Sequence, residues 1–204
     1  MITEKNVRSG YFEHDEYLAV RNALPEHLRG LLTFAYRTGC RHSEIARLSW
    51  NQVDLRARSV RLEETKNGDR RTLYLDKELL RIFKQQLQLR KESKKISPFV
   101  FLNRKSTGRV KRFDMACRTA CRKAKYPGKL LHDLHHAAIR NMVRDGIPEV
   151  VAMLISGHTS RSVLDRYNIV NEAEIKMAAE KYSVYLDTLN GTGTITDSVV
   201  DLEK

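Results

Sequence analysis

Four of the seven histidines in this 204-residue chain, His132, His135, His136 and His158, fall within a window of 27 residues. Imidazoles ligate metals, move protons near neutral pH and, when charged, donate hydrogen bonds to anions. A zinc site fits the window poorly. It contains no HExxH pattern, the cysteines lie elsewhere, and adjacent histidines such as His135 and His136 point about 100° apart on a helix. Structural or solvated histidines are the plain alternative. The three cysteines, Cys40, Cys117 and Cys121, cannot all pair with one another. Cys117 and Cys121 stand four apart in a helical stretch, so all three read as reduced thiols.

The elements that must position these residues follow from composition and periodicity. The length suits one domain with tails, since single cores run to about 100–200 residues. The 41% hydrophobic content excludes a disordered polyelectrolyte. No apolar run approaches the roughly 18–20 residues of a membrane span, and the opening MITEKNVRSG lacks the apolar stretch of a secretory signal. A cytoplasmic chain with no membrane partner is expected. Lys and Arg number 37 against 25 Asp and Glu, a formal net charge of +12. Such an excess attracts a phosphate backbone in a salt-dependent way, although a basic surface also serves solubility alone. The last nineteen residues, Leu186–Lys204, are acidic and Gly/Thr-rich; without them the body carries 36 basic and 21 acidic residues, near +15.

The segment 11–40 reads as two helices broken at Pro25. Leu28, Leu31, Leu32, Ala35 and Tyr36 recur at intervals of three and four, which marks a buried face. Ser43 is expected to cap a short helix from Glu44 to Leu48. Ser59–Glu63 and Thr72–Leu75 flank Lys66 and the Asn67–Gly68 pair, a hairpin signal. Helices are expected over Lys77–Lys91, Arg112–Lys123 and Asn171–Leu186. The basic loop Arg104–Arg112 precedes the second of these, and Ile175, Ala178, Ala179, Tyr182 and Leu186 share one side of the last. The fold class is mainly α with a small antiparallel β-sheet. The expected organisation is a leader over 1–10, a single folded domain over 11–186 and a flexible acidic tail over 187–204.

Five boxes occur in order: TGCRHSEIARLSW around Arg41, TKNGDRRTLYL with Lys66, LHDLHH with His132, ISGH with His158, and RYNI with Tyr167. Together, from about Tyr11 to Tyr185, they resemble the catalytic domain of the tyrosine recombinases, the phage integrase family. That resemblance implies double-stranded DNA as partner and cleavage of one strand by a tyrosine hydroxyl. A 3′-phosphotyrosyl link and a free 5′-hydroxyl result, with no metal, nucleotide or other cofactor. Association into a tetramer on DNA is implied as well, as is a cytoplasmic, nucleoid-associated location.

By the same resemblance Tyr167 matches the nucleophile, whose phenol, with a pKa near 10, needs a base or a cationic pocket. Arg41 matches the first catalytic arginine, with a planar fork suited to two non-bridging phosphate oxygens. Lys66 matches the lysine that protonates the leaving 5′-oxygen, although Arg70 and Arg71 in the same hairpin are alternatives for reaching the DNA backbone. His132 and His158 match two histidines that donate to phosphate oxygens or handle the tyrosine proton. Glu44 is read as support orienting Arg41.

One box departs from the pattern. The family spells His-x-Leu-Arg, and this chain spells His132-Asp133-Leu134-His135, so His135 stands where the second catalytic arginine belongs. Arg140, five positions on, is about 140° around a helix from His135 and is expected to be a phosphate contact or a surface residue. Loss of one preorganised donor costs about 10²–10³ in rate. Two readings follow, a slow recombinase using His135 or a DNA-binding relic of an integrase with negligible turnover. A type IB topoisomerase shares the chemistry, but the box spellings look integrase-like. Integrases of this family usually carry an N-terminal clamping domain; a catalytic fold that begins near Tyr11 is expected to be a catalytic fragment or a short protein.

Overall fold

Proline lacks the N–H that a helix interior needs, and Pro25 accordingly separates α1 (His14–Ala23) from α2 (Glu26–Thr38). The computed structural model describes residues 10–62, 70–93, 97–111, 113–157 and 172–189, with the backbone alone for 172–174. After α2 come α3 (His42–Arg47), a 3₁₀ turn at Trp50–Gln52, and three strands: β1 (Val53–Asp54), β2 (Ser59–Leu62) and β3 (Arg71–Tyr74). Five helices follow: α4 (Lys77–Glu92), α5 (Phe113–Lys123), α6 (Leu131–Arg144), α7 (Glu149–Ser156) and α8 (Glu172–Leu189). The class is the expected one, mostly helical with one small antiparallel sheet. Residues up to Tyr167 form one compact unit, and those from Asn168 a second that includes α8.

Helix α2 is the spine of the first unit and packs against α1, α3, α4 and α6. Its predicted face, Leu28, Leu31, Leu32, Ala35 and Tyr36, is buried, as is Phe34. The Phe34 ring meets those of Phe83 on α4 and Phe101, at 5.5 and 6.1 Å. On the α1 side Tyr17 stacks on Tyr36 at 3.9 Å, and its hydroxyl donates to Thr33 Oγ1. Gly39 ends α2 in the left-handed conformation, φ 66°, which glycine adopts without steric cost.

The sheet runs in the order β1-β2-β3, antiparallel throughout. Val60 pairs with Leu73, both buried, and Leu62 pairs with Arg71 at the end of the ladder. Strand β1 escapes the sequence pattern because two residues are too few to show an alternation. Asp54 forms the β1–β2 turn by accepting the N–H groups of Arg56 and Ala57.

Two further boundaries differ from expectation. Arg41, not Ser43, is the cap residue of α3, because the Glu44 carboxylate reaches back to accept the Arg41 N–H at 2.8 Å and so starts the helix earlier. Helix α8 ends at Leu189, three residues past the expected end. By itself it exposes Ile175, Tyr182 and Leu186.

Candidate DNA-processing site

The loop from α2 to α3 carries the first box. Leaving Gly39, the chain buries Cys40 and presents Arg41 at the start of α3, with 30% of its side chain exposed. Arg41 Nη1 is itself buried and finds no hydrogen-bond acceptor among the described residues; Glu44 Oε1 is 3.8 Å away. A buried guanidinium N–H without an acceptor is costly, and an incoming anionic oxygen would satisfy it.

Helix α6 brings the histidines to this loop. Asp133 Oδ2 accepts the Leu130 N–H at 2.7 Å and closes the first turn. His132 is exposed, while His135 and His136 are buried. The His132 ring lies 5.5 Å from that of His135 and meets that of His136 edge-on at 4.5 Å. His135 Nδ1 donates to the Gly39 carbonyl, two residues before Arg41. The ring therefore has only Nε2 left for any other partner, where an arginine would bring a fork. No group of three or more His, Cys, Asp or Glu among the described residues is arranged to hold a metal.

Glu44 does more than expected. Besides the Arg41 N–H, its carboxylate accepts both Nη atoms of Arg71, at 3.1 and 2.7 Å, and both side chains of this pair are buried. Arg71 Nε donates to the Ile155 carbonyl at the end of α7, at 3.1 Å. The reading of Arg71 as a DNA-backbone contact is therefore corrected, because its guanidinium is spent on protein acceptors. A sequence signal existed: Arg71, Leu73 and Leu75 alternate, which puts Arg71 on the inward face of β3.

Arg140 is corrected too. Only 3% of the residue is exposed; its two Nη atoms donate to the Glu13 carboxylate at 2.8 and 2.7 Å, and its guanidinium lies 3.6 Å from the Tyr11 ring centroid. Facing away from His135 did not mean facing water, since every residue of α6 from Asp133 to Arg140 is buried. The Glu13 carboxyl is held below its usual value by the Arg140 hydrogen bonds.

The cysteines are free and buried. Burial pushes the Cys40 thiol up to about 11, so it is no nucleophile at neutral pH. Burial also lowers the pKa of His42, which stacks on Phe113 at 5.9 Å.

Of the six expected site residues, the structure brings the segments of Arg41, His132 and His135 together. Lys66, His158 and Tyr167 lie outside the described residues. Exposed cations elsewhere include Arg104 and Lys105, in a turn held by Asn103 Oδ1, and Arg118, Arg122 and Lys123 on α5. No described helix is long and apolar enough to cross a membrane.

The chain is similar to known integrases and recombinases. The chain is 27% identical over 177 residues to the integrase of Salmonella phage P22, an alignment covering 80% of this chain and 44% of the relative. It is 33% identical over 134 residues to the shufflon-specific DNA recombinase of Escherichia coli, covering 65% of this chain and 32% of the relative. It thus spans less than half the length of these two relatives. Among solved structures, XerA recombinase superposes with a TM-score of 0.70 at 20% identity, covering 84% of this chain and 64% of that one. A lambda integrase (75–356) dimer bound to a COC′ core site gives 0.61 at 20% identity, covering 77% and 60%. Both show the fold. Residues 4–174 match the phage integrase family, most of the chain, and the protein belongs to that family.

Proposed function

We propose that this chain is the catalytic domain of a site-specific DNA recombinase, cleaving and rejoining double-stranded DNA through a 3′-phosphotyrosyl intermediate. Tyr167 Oη forms a bond to the scissile phosphorus as the bond from phosphorus to O5′ breaks. The Lys66 ammonium gives its proton to the departing O5′, and an imidazole, His132 or His158, takes the phenol proton. Arg41 holds the non-bridging oxygens. The chemistry needs no cofactor, and self-association on DNA would bring two strands together for exchange.

The observation that carries this reading is Arg41 Nη1, buried and without a hydrogen-bond acceptor, at a loop that His135 ties to α6. An anion completes that arrangement. His135 has its Nδ1–H given to Gly39 and lacks the permanently charged planar fork of an arginine, so turnover is expected to be slow. The same residue favours a second reading, a DNA-binding relic that no longer turns over.

Incubation with a nicked suicide duplex separates the two. A covalent protein–DNA adduct that disappears in Tyr167→Phe supports the recombinase. No adduct at high protein concentration sinks it and leaves the relic.

A further inference from the structure

We propose that Arg71 is a positioning residue for Arg41, acting through Glu44. This rests on the recombinase reading above. The inference comes from how one guanidinium is spent. Its two Nη atoms hold the two oxygens of Glu44. One of those oxygens, Oε2, also accepts the Arg41 N–H at 2.8 Å, and the other, Oε1, lies 3.8 Å from Arg41 Nη1. Glu44 is therefore clamped from one side by Arg71 and touches Arg41 from the other. The carboxylate is thereby held beside both the backbone N–H and the guanidinium of Arg41.

The remaining contacts of Arg71 anchor the clamp. Its Nε donates to the Ile155 carbonyl on α7, its Nη2 lies 3.8 Å from Cys40 Sγ, and its backbone is paired to Leu62 in the sheet. A Cβ on Gly157 would run into the same guanidinium, so the residue just after α7 is glycine where Arg71 passes. One side chain thus ties β3, the loop after α2, the start of α3 and the end of α7 to a common point. Arg71 touches no reacting atom in the proposed chemistry. Its effect is to fix the attitude of the arginine that does.

A lysine at 71 keeps the charge but loses the planar fork. Arg71→Lys is expected to bind duplex DNA within about threefold of the parent chain, and to form the covalent adduct about 100-fold more slowly, the loss that a misplacement of about 1 Å produces. The decisive measurement is a double-mutant cycle on adduct formation. In an Arg41→Lys background, Arg71→Lys is expected to add less than about threefold, because the fork it positions is gone; in a Lys66→Ala background the loss should be nearly full.

A purely structural role predicts equal losses in both backgrounds, and that result overturns the proposal. So does an Arg71→Lys chain that forms adduct at the parent rate. Thermal melting checks that each variant folds. If Arg71→Lys does not, Glu44→Gln, which retains the shape and one acceptor oxygen, takes its place in the same cycle with the same expectation. A parent chain that forms no adduct defeats the recombinase reading itself, a result distinct from an Arg71→Lys chain that performs as well as an active parent.

Discussion

His135 Nδ1 on α6 donates to the carbonyl of Gly39, the left-handed residue that ends α2. A carbonyl only accepts, so the proton sits on Nδ1, and the position that the family gives to an arginine is used here to brace the Arg41 loop. An arginine at 135 is long enough to keep this bond with one N–H and to aim others at a phosphate. His135→Arg is therefore expected to raise the rate of adduct formation, by about 10² if a full oxyanion donor is restored. An unchanged or lower yield would place residue 135 away from the phosphate. His135→Ala should instead leave a buried carbonyl unpaired, at a cost of about 1–3 kcal/mol in urea unfolding.

Arg140 is expected to matter for stability and not for DNA. Arg140→Ala removes the guanidinium that pairs with Glu13 and lies under Tyr11. Removing one partner of a fully buried pair costs about 3–5 kcal/mol; because Glu13 is 49% exposed, a loss of about 2 kcal/mol is expected here. Duplex affinity should change less than about threefold, the result that separates a packing role from a phosphate contact. Equilibrium unfolding and a binding titration on the same variant make the comparison.

The Glu13 carboxylate gives this pair a pH signature. Its folded-state pKa lies below the ordinary 4.5 because Arg140 hydrogen-bonds the charged form. The pair therefore contributes its stability above pH 4.5 and loses it as pH falls through the lowered folded value. Glu13→Gln should be less stable than the parent at pH 6, and the gap should close toward pH 3. Melting temperatures across that range give the answer; a constant gap would remove the carboxylate from the explanation.

Gly157 ends α7 at φ 74°. Gly157→Ala would pay about 1–2 kcal/mol for the left-handed backbone alone, and its methyl would also displace the Arg71 guanidinium. A destabilisation above about 2 kcal/mol is expected in the parent chain, and a smaller increment in an Arg71→Ala background, which is itself destabilised because the buried Glu44 loses its partner. Strictly additive losses would deny the contact.

All three thiols should resist alkylation at pH 8 until the chain unfolds. Cys40 is buried and pushed up to about 11, and Cys117, whose thiol hydrogen-bonds Cys121, is pushed up as well; Cys121 is lowered by that same hydrogen bond and is protected by its burial alone. Iodoacetamide labelling is expected to be at least about tenfold slower in buffer than in urea. Equal rates would show that α5 opens readily.

How legible all this was depended on spacing. The α2 stripe was readable because Leu28, Leu31, Leu32, Ala35 and Tyr36 repeat at the helical period over about two and a half turns, and the hairpin because its strands flank an Asn-Gly pair. The five boxes, taken in order, gave the family. The polar residues that the fold conceals were not readable. Arg140 lies on a helix buried on nearly every face, and Arg71 at the first position of a four-residue strand, so charge argued for solvent where packing argued against it. Both are tolerated inside because a carboxylate far along the chain, Glu13 or Glu44, receives them, and no local pattern announces such a partner.

The ladder that pairs Val60 with Leu73 and Leu62 with Arg71 separates two properties that a hairpin usually mixes. Register is set below the pair Leu62–Arg71, by side chains in the core, and the residues between that pair can change in number without moving it. The length of the connection is thus uncoupled from the register, whereas a single deletion at Thr72 would turn Arg71 to the opposite face of the strand. The hairpin is tunable in length and intolerant in phase.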